Sequence, residues 1–311
     1  MNIFCAIDLN KKEKAHLKEN VSQHQLIFKD EIGENPVDTF FDCEICFGNI
    51  PSTWVEKSNK LRWLQLESVG FDTYLKLETP NNPSITNLKG FFAVPVAETV
   101  IAGILALFRG MDKFVQLKET EGWQGADMRP ALRTLNNSTV LILGAGSIGL
   151  HLKGLLESFN CKILLYDKYN TNADSTDISD LQTILPSMDI IVNCLPDTQE
   201  TKHLLNKERL KLLNKNAIVV NVGRSPTIDE DALINCLKEK RIAGAVLDVT
   251  NKEPIPQDHP LWKVPNVILT QHTGGGYRNE ILDKVDVFLE NLKRFEEGLQ
   301  LHNVIDVTKG Y

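Results

Sequence analysis

The chain has 311 residues, 42% of them hydrophobic and 24% charged, and a formal net charge of −7. This composition suits about two globular domains with full cores, and the acidic balance argues against nucleic acid or an anionic membrane surface as a partner. No apolar run approaches the roughly 18 residues of a membrane span, and Asp8 interrupts the apolar start, which therefore reads as a strand and not as a secretion signal.

In chain order, 4–9 reads as a strand and 11–25 as a polar helix. The stretch 40–48 reads as an alternating strand with its centre at 43–47. Pro51-Ser52-Thr53-Trp54 looks like a helix start, and 61–66 is the next strand. Such βαβα alternation implies a parallel, helix-covered sheet. Pro95 suits the first turn of a helix, predicted over 96–118. The helix is apolar on most faces, so it should pack between layers or domains. Residues 119–137, with Gly122, Gly125 and Pro130, read as a loop or arm at a subunit contact.

From Thr139 the alternation restarts, with strands predicted at 140–143, 163–166, 190–194, 217–222, 244–249 and 267–269. Six strands with crossover helices suit a dinucleotide fold. An amphipathic helix at 280–298 and a short strand at 304–307 close the chain, and these last thirty-odd residues are expected to return to the first domain. Six cysteines are scattered along the sequence. Cys43 and Cys46 lack the second ligand pair that a metal site would need. The cysteines read as reduced, mostly buried thiols of a cytoplasmic protein.

The most informative stretch is Gly144-Ala145-Gly146-Ser147-Ile148-Gly149, which follows an apolar run and precedes a helical pattern. Gly144 permits the tight turn, Gly146 lets backbone approach a pyrophosphate, and Gly149 lets helix and strand pack closely. The helix N-terminus offers free N–H groups and partial positive charge to phosphates. Asp167 ends the next apolar run, 18 residues beyond Gly149, near the spacing expected of a ribose-binding acid. A carboxylate there would repel a 2′-phosphate and favour NAD(H) over NADP(H), although Lys168 follows directly.

Three ionisable residues lie just after candidate strands of the second half: Arg224 in Asn221-Val222-Gly223-Arg224-Ser225, Glu253 before Pro254, and His272 after Gln271. Singly they read as a surface cation, a loop acid and a turn histidine. Together, at the carboxyl ends of consecutive strands where α/β folds bind ligands, they supply what 2-oxo acid reduction requires. Arginine's planar fork anchors a carboxylate and polarises a ketone. Histidine gives and takes a proton near neutral pH. A glutamate beside it stabilises the imidazolium.

The sequence resembles the D-isomer-specific 2-hydroxyacid dehydrogenase family along nearly its whole length. The matching pieces are the glycine turn 144–149, Asn193 to Thr201, Asn221 to Ser225, Gly244 to Val249, Glu253 to Pro256, His259 to Trp262, Pro265 to Thr270 and His272 to Gly275, with 61–65, 69–72 and 94–98 earlier. The resemblance implies an α/β protein of two doubly wound parallel-sheet domains. A Rossmann NAD-binding domain (94–277) is inserted into a flavodoxin-like substrate domain (1–93 with 278–311). It implies Arg224 as substrate anchor, His272 as acid/base and Glu253 as its partner. Ser147 and Ile148 would contact pyrophosphate, with Asp248 near the nicotinamide amide. Cys194, Leu195 and Pro196 would line the adenosine side, with Val222 and Gly275 among the cofactor contacts. Val69 and Gly70 would hold the substrate carboxylate by backbone N–H. It further implies small 2-oxo or D-2-hydroxy acids as substrates, and a homodimer joined through the cofactor domain.

Three positions depart from the family pattern. Ser225 stands for a usual glycine, Gln271 for a frequent proline, and Thr250-Asn251 where an aromatic is common. Ser225 is expected to restrain the Arg224 loop, and Gln271 to loosen the approach to His272. A competing reading is a non-catalytic NAD(H)-sensing protein like the family's co-repressor branch, disfavoured by the lack of long motif-bearing tails. The early end after His272 makes a phosphoglycerate dehydrogenase-like enzyme less expected, and an acid at 253 argues against the formate dehydrogenases.

Overall fold

The computed structural model describes residues 1–33 and 35–306. Contacts divide the chain into two compact units, Met1–Phe91 with Tyr277–Tyr311, and Phe92–Gly276. The first unit starts with β1 (Asn2–Cys5), α1 (Lys11–Asn20), β2 (Gln25–Phe28), α2 (Pro36–Phe40), β3 (Ile45–Phe47), α3 (Ser52–Lys57), β4 (Trp63–Gln65) and β5 (Ser84–Thr86). All pairings are parallel, in the order β2-β1-β3-β4-β5, which is the flavodoxin order. Asn10 starts α1 with a capping box. Its side chain accepts from the N–H of Lys12 and Glu13, and Glu13 accepts from the N–H of Asn10.

The tail helix Glu280–Glu296 belongs to this unit. Its Phe288 ring stacks on Phe47 and on Trp63, with centroids 4.5 and 5.1 Å apart. Asn291 donates to the buried Gln65 carboxamide at 3.0 Å. Beneath the stack, Trp63 Nε1 donates to Thr86 Oγ1 at 2.8 Å, and that hydroxyl donates to Gln65 Oε1 at 2.8 Å, so each buried polar group has a partner.

The second unit starts with α4 (Ala93–Phe108), α5 (Met111–Glu119) and α6 (Gly125–Met128). The sheet strands are β6 (Thr139–Leu143), β7 (Lys162–Tyr166), β8 (Ile190–Asn193), β9 (Ile218–Asn221), β10 (Gly244–Leu247) and β11 (Val267–Leu269). Helices α7 (Ser147–Glu157), α8 (Leu181–Ile184), α9 (Lys207–Leu212) and α10 (Glu230–Lys238) lie between them. The parallel order is β11-β10-β9-β8-β6-β7. The chain turns back between β6 and β8, and such a switch point opens a crevice at the carboxyl ends of the strands. Val140, Ile142, Val192, Val220 and Val246 pack on one face against α4 and α7, while Leu141, Ile191, Val219, Ala245 and Leu247 join the core on the other. Burial on both faces explains their continuous apolar runs.

Several elements differ from the sequence-based expectation. The helix expected over 96–118 is two helices bent by 64°, because Gly110 takes a left-handed φ of +62° between them. Pro95 sits inside the first turn of α4, not before it. No single helix among the described residues is long and apolar enough to cross a membrane. The 40–48 stretch is the end of α2, a turn and a three-residue strand buried on every side, not an alternating strand. The first strand ends at Cys5, and α1 ends at Asn20. Strands β2 and β5, and helix α6 within the expected arm, went unread. The closing strand reduces to one antiparallel bridge between Thr86 and Val304, and Val307 lies outside the described residues.

Candidate active site

The glycine turn at the end of β6 has the shape a dinucleotide needs. Gly144 adopts φ +108°, and a Cβ at Gly149 would lie 2.0 Å from the Gly144 carbonyl oxygen. Both positions thus exclude a side chain. Around Gly146 nothing lies within 4 Å of an added Cβ, so the turn faces open space there. Gly146 is also the N-cap of α7 and supplies no side-chain cap. The first N–H groups of α7, at Ser147 and Ile148, are therefore left for an anion. These features fit a bound pyrophosphate.

Asp167 follows β7, beside this turn. Its Oδ2 accepts from Ala145 N–H at 2.8 Å, and its Oδ1 accepts from the N–H of Tyr169 and Asn170 at 2.9 and 3.0 Å. Lys168 turns to Glu200, Nζ to Oε1 2.5 Å, and the Tyr169 hydroxyl meets the other Glu200 oxygen. On the other side of the turn, Cys194 donates its N–H to Leu143, and its carbonyl packs 3.2 Å from the place a Cβ of Gly144 would take. Burial pushes the Cys194 thiol up to about 12, so it is a neutral wall group. Leu195 is buried, and the Pro196 carbonyl accepts from Thr201 Oγ1 at 2.6 Å. Val222 is buried beside β8, its N–H donating to Asn193. All six cysteines are free, four of them buried.

At the carboxyl ends of β9, β10 and β11 the ionisable residues converge. His272 Nδ1 lies 2.7 Å from Glu253 Oε2, and Glu253 Oε1 accepts from Thr250 N–H at 2.9 Å. Burial opposes ionisation of Glu253. The hydrogen bonds from His272 and Thr250, with the charges of His272 and Arg224, outweigh it and hold the carboxyl below its usual range. Arg224 follows β9, the strand beside β10. Among the described residues its Nη1 donates only to the carbonyl of its own neighbour Gly223, at 3.0 Å. A cavity of about 380 Å³ opens beside the pair, with Leu247, Ile255, Trp262 and Leu269 as apolar wall and Gln271 among its polar groups.

Two features here go beyond the sequence reading, the first being the bonds of Asp248, which was expected only near the nicotinamide amide. Asp248 is 6% exposed, and its Oδ1 accepts three hydrogen bonds, from Thr270 Oγ1 at 2.6 Å and from the N–H of Thr273 and Gly274 at 3.0 Å each. Its carbonyl accepts from His272 N–H at 2.6 Å. Asp248 thus fastens the loop that carries His272. The second is backbone: Gln271 and His272 take φ of +53° and +57°, uncommon for residues other than glycine. Gln271, expected to loosen the approach to His272, is held here by its backbone angle. It adopts a conformation that proline, fixed near −65°, cannot reach. Gly275 packs on Phe92, where a Cβ would meet the ring at 2.7 Å.

In the first unit, Val69 and Gly70 lie on the loop after β4. Their carbonyls accept from Asn87 Nδ2 and Ser68 Oγ, at 2.8 Å each. Their N–H groups have no partner among the described residues.

A doubly wound sheet with a glycine turn at its switch point is an architecture that binds dinucleotides. The model of the D-isomer specific 2-hydroxyacid dehydrogenase NAD binding domain matches residues 101–274. A glyoxylate reductase of Thermofilum pendens is 34% identical over 265 residues, covering 82% of this chain and 74% of its own. A glyoxylate/hydroxypyruvate reductase B of Pectobacterium atrosepticum is 31% identical over 273 residues, covering 83% of each. The crystal structure of a D-isomer specific 2-hydroxyacid dehydrogenase family protein from Aeromonas salmonicida superposes with a TM-score of 0.84, at 28% identity, over 98% of this chain and 99% of that one. The chain belongs to the D-isomer specific 2-hydroxyacid dehydrogenase family and is an oxidoreductase with an NAD-binding domain.

Proposed function

We propose that the protein is an NAD(H)-dependent reductase of small 2-oxo acids, with glyoxylate, hydroxypyruvate and simple 2-keto acids as the substrate class. The observation that carries this reading is the His272–Glu253 pair at 2.7 Å at the carboxyl end of the sheet, with Arg224 just past the adjoining strand β9. Arg224 binds the substrate carboxylate and polarises the ketone. Bound NADH supplies the hydride. His272 gives its proton to the forming alkoxide, and Glu253 stabilises the imidazolium and fixes the ring's orientation. In the reverse direction neutral His272 takes the proton of a D-2-hydroxy acid. The unit Phe92–Gly276 is the cofactor domain, in which Gly144, Gly146, Ser147, Ile148 and Gly149 would hold the pyrophosphate. Asp167 would hold the ribose hydroxyls, and Cys194, Leu195, Pro196, Val222, Asp248 and Gly275 would complete the cofactor site. The unit built from the two ends of the chain is the substrate domain, and the N–H groups of Val69 and Gly70, unpartnered among the described residues, are the groups it offers a carboxylate.

Asp167 beside the glycine turn, and Lys168 already engaged by Glu200, support NAD(H) over NADP(H). Exposed Val94, Met111, Val115, Leu150 and a Trp123 that is 98% exposed support a homodimer through this domain. Six free thiols fit a reducing cytoplasm.

The test is loss of NADH absorbance with glyoxylate, hydroxypyruvate, pyruvate, 2-oxobutyrate, phenylpyruvate and 2-oxoisocaproate, repeated with NADPH. Faster turnover with NADH supports the reading, and the best acid sizes the pocket. NADH binding without turnover of any acid would replace it with a cofactor-sensing role. Arg224→Ala should raise KM and lower kcat together; near-native kinetics would remove Arg224 from the site.

A further inference from the structure

We propose that Ser225, Asn251 and Glu230 are positioning residues that hold the Arg224 loop in register with the loop carrying Glu253. Among the described residues, Arg224 has no hydrogen bond that fixes its guanidinium, apart from the one to its neighbour's carbonyl. Its position is therefore set by the backbone around it. Thr227 Oγ1 donates to the Arg224 carbonyl at 2.7 Å and accepts from the buried Asn193 at 2.5 Å. In the same turn, Ser225 Oγ donates to Asn251 Oδ1 at 2.6 Å. Ser225 adjoins the arginine. Asn251 precedes Glu253 by two residues and follows Thr250, whose N–H holds the Glu253 carboxylate. One side-chain bond thus joins the substrate anchor to the acid/base pair. The two partners stand at positions where this chain departs from the family pattern, and the bond makes the two departures a single feature.

Glu230 extends the link. It is 8% exposed, in the first turn of α10, and the catalytic reading gives it no role. Its Oε2 accepts from Asn251 N–H at 2.9 Å, and its Oε1 lies 3.5 Å from His259 Nε2. A buried carboxylate is costly unless its oxygens are engaged. The helix N-terminus favours it here, and the group it fixes is the backbone of Asn251. Three segments, the β9–α10 turn, the loop after β10 and the turn at Pro260–Lys263, are joined in this way.

The inference rests on the roles given to Arg224 and Glu253 above. Its test compares Ser225→Ala, Asn251→Ala, the double variant and Glu230→Gln, with Ser225→Ala repeated in an Arg224→Ala background. Steady-state kinetics, NADH binding by fluorescence and melting temperature are measured. Each single variant should lose roughly threefold to tenfold in kcat/KM, mainly through KM for the 2-oxo acid, as the weakening of one hydrogen bond allows. NADH affinity should be unchanged. The double variant should be no worse than its worse parent, and Ser225→Ala should cost nothing further once Arg224 is gone. Unchanged kcat/KM, additive losses, or an equal loss in the Arg224→Ala background would overturn the proposal. If Arg224→Ala itself behaves like wild type, the catalytic reading fails instead.

Discussion

Two aspartates of the second unit, Asp167 after β7 and Asp248 after β10, each collect three hydrogen-bond donors, yet they sit in opposite situations. Asp167 is half-buried, spreads its donors over both oxygens, and faces the open side of the glycine turn. Asp248 is buried, takes all three donors on one oxygen, and ties down the loop that carries His272. Similar side-chain chemistry at equivalent strand ends thus serves two purposes. The half-buried carboxylate can exchange its backbone donors for ligand hydroxyls at little cost, since water and ligand compete for the same lone pairs. The buried one cannot exchange anything without orphaning donors.

That contrast can be broken by mutation. The ceiling is His272→Ala, which should lower kcat by roughly 10²–10⁴-fold if proton transfer is lost; a stopped-flow rate equal to wild type would remove it as the acid. Asp248→Ala should approach that ceiling and also lower the melting temperature, because each orphaned N–H costs about 1–3 kcal/mol. A variant with native stability and near-native turnover would show that the loop holds itself. Gln271→Pro should damage both activity and stability, because proline cannot adopt φ +53°, whereas Gln271→Gly should keep the loop; the reverse ranking in thermal melts would contradict the left-handed geometry. Asp167→Ala should leave the melting temperature within a few degrees, weaken NADH binding, and shift the ratio of the two dissociation constants towards NADPH. An unaltered ratio would remove Asp167 as the residue that discriminates between them.

The smallest effect is pH-dependent. Glu253 is held below its ordinary value of 4.5 in the folded chain. Its contribution to stability is therefore present above that value and is lost as pH falls through the folded value. The stability difference between wild type and Glu253→Gln should be level above about pH 5 and shrink in acid; a difference that grows in acid would reverse the sign.

Much of this site was legible because buried parallel strands announce themselves as apolar runs, and the residues just past each run are placed at the sheet's ligand-binding edge. Gly144, Asp167, Arg224, Glu253 and His272 were all read from that rule. The three-residue strand β5 and the four-residue β2 carry too little pattern to be seen. The break at Gly110 was masked by helix-forming residues on both sides. The Asp248 staple and the Ser225–Asn251 bond depend on loops meeting across 22 to 26 positions, which no local pattern encodes. The left-handed Gln271 had no signal either, since glutamine is not a residue chosen for that conformation.

The aromatic stack of the first unit has a consequence for how the protein is made. Phe47 and Trp63 leave the ribosome early, but Phe288, which lies against both, emerges only after the whole of Phe92–Gly276. The inserted unit has all its strands contiguous and can complete its core during synthesis. The unit that emerges first must wait for the last, with two large rings uncovered in the meantime, so it is there that nascent chains would first need a chaperone.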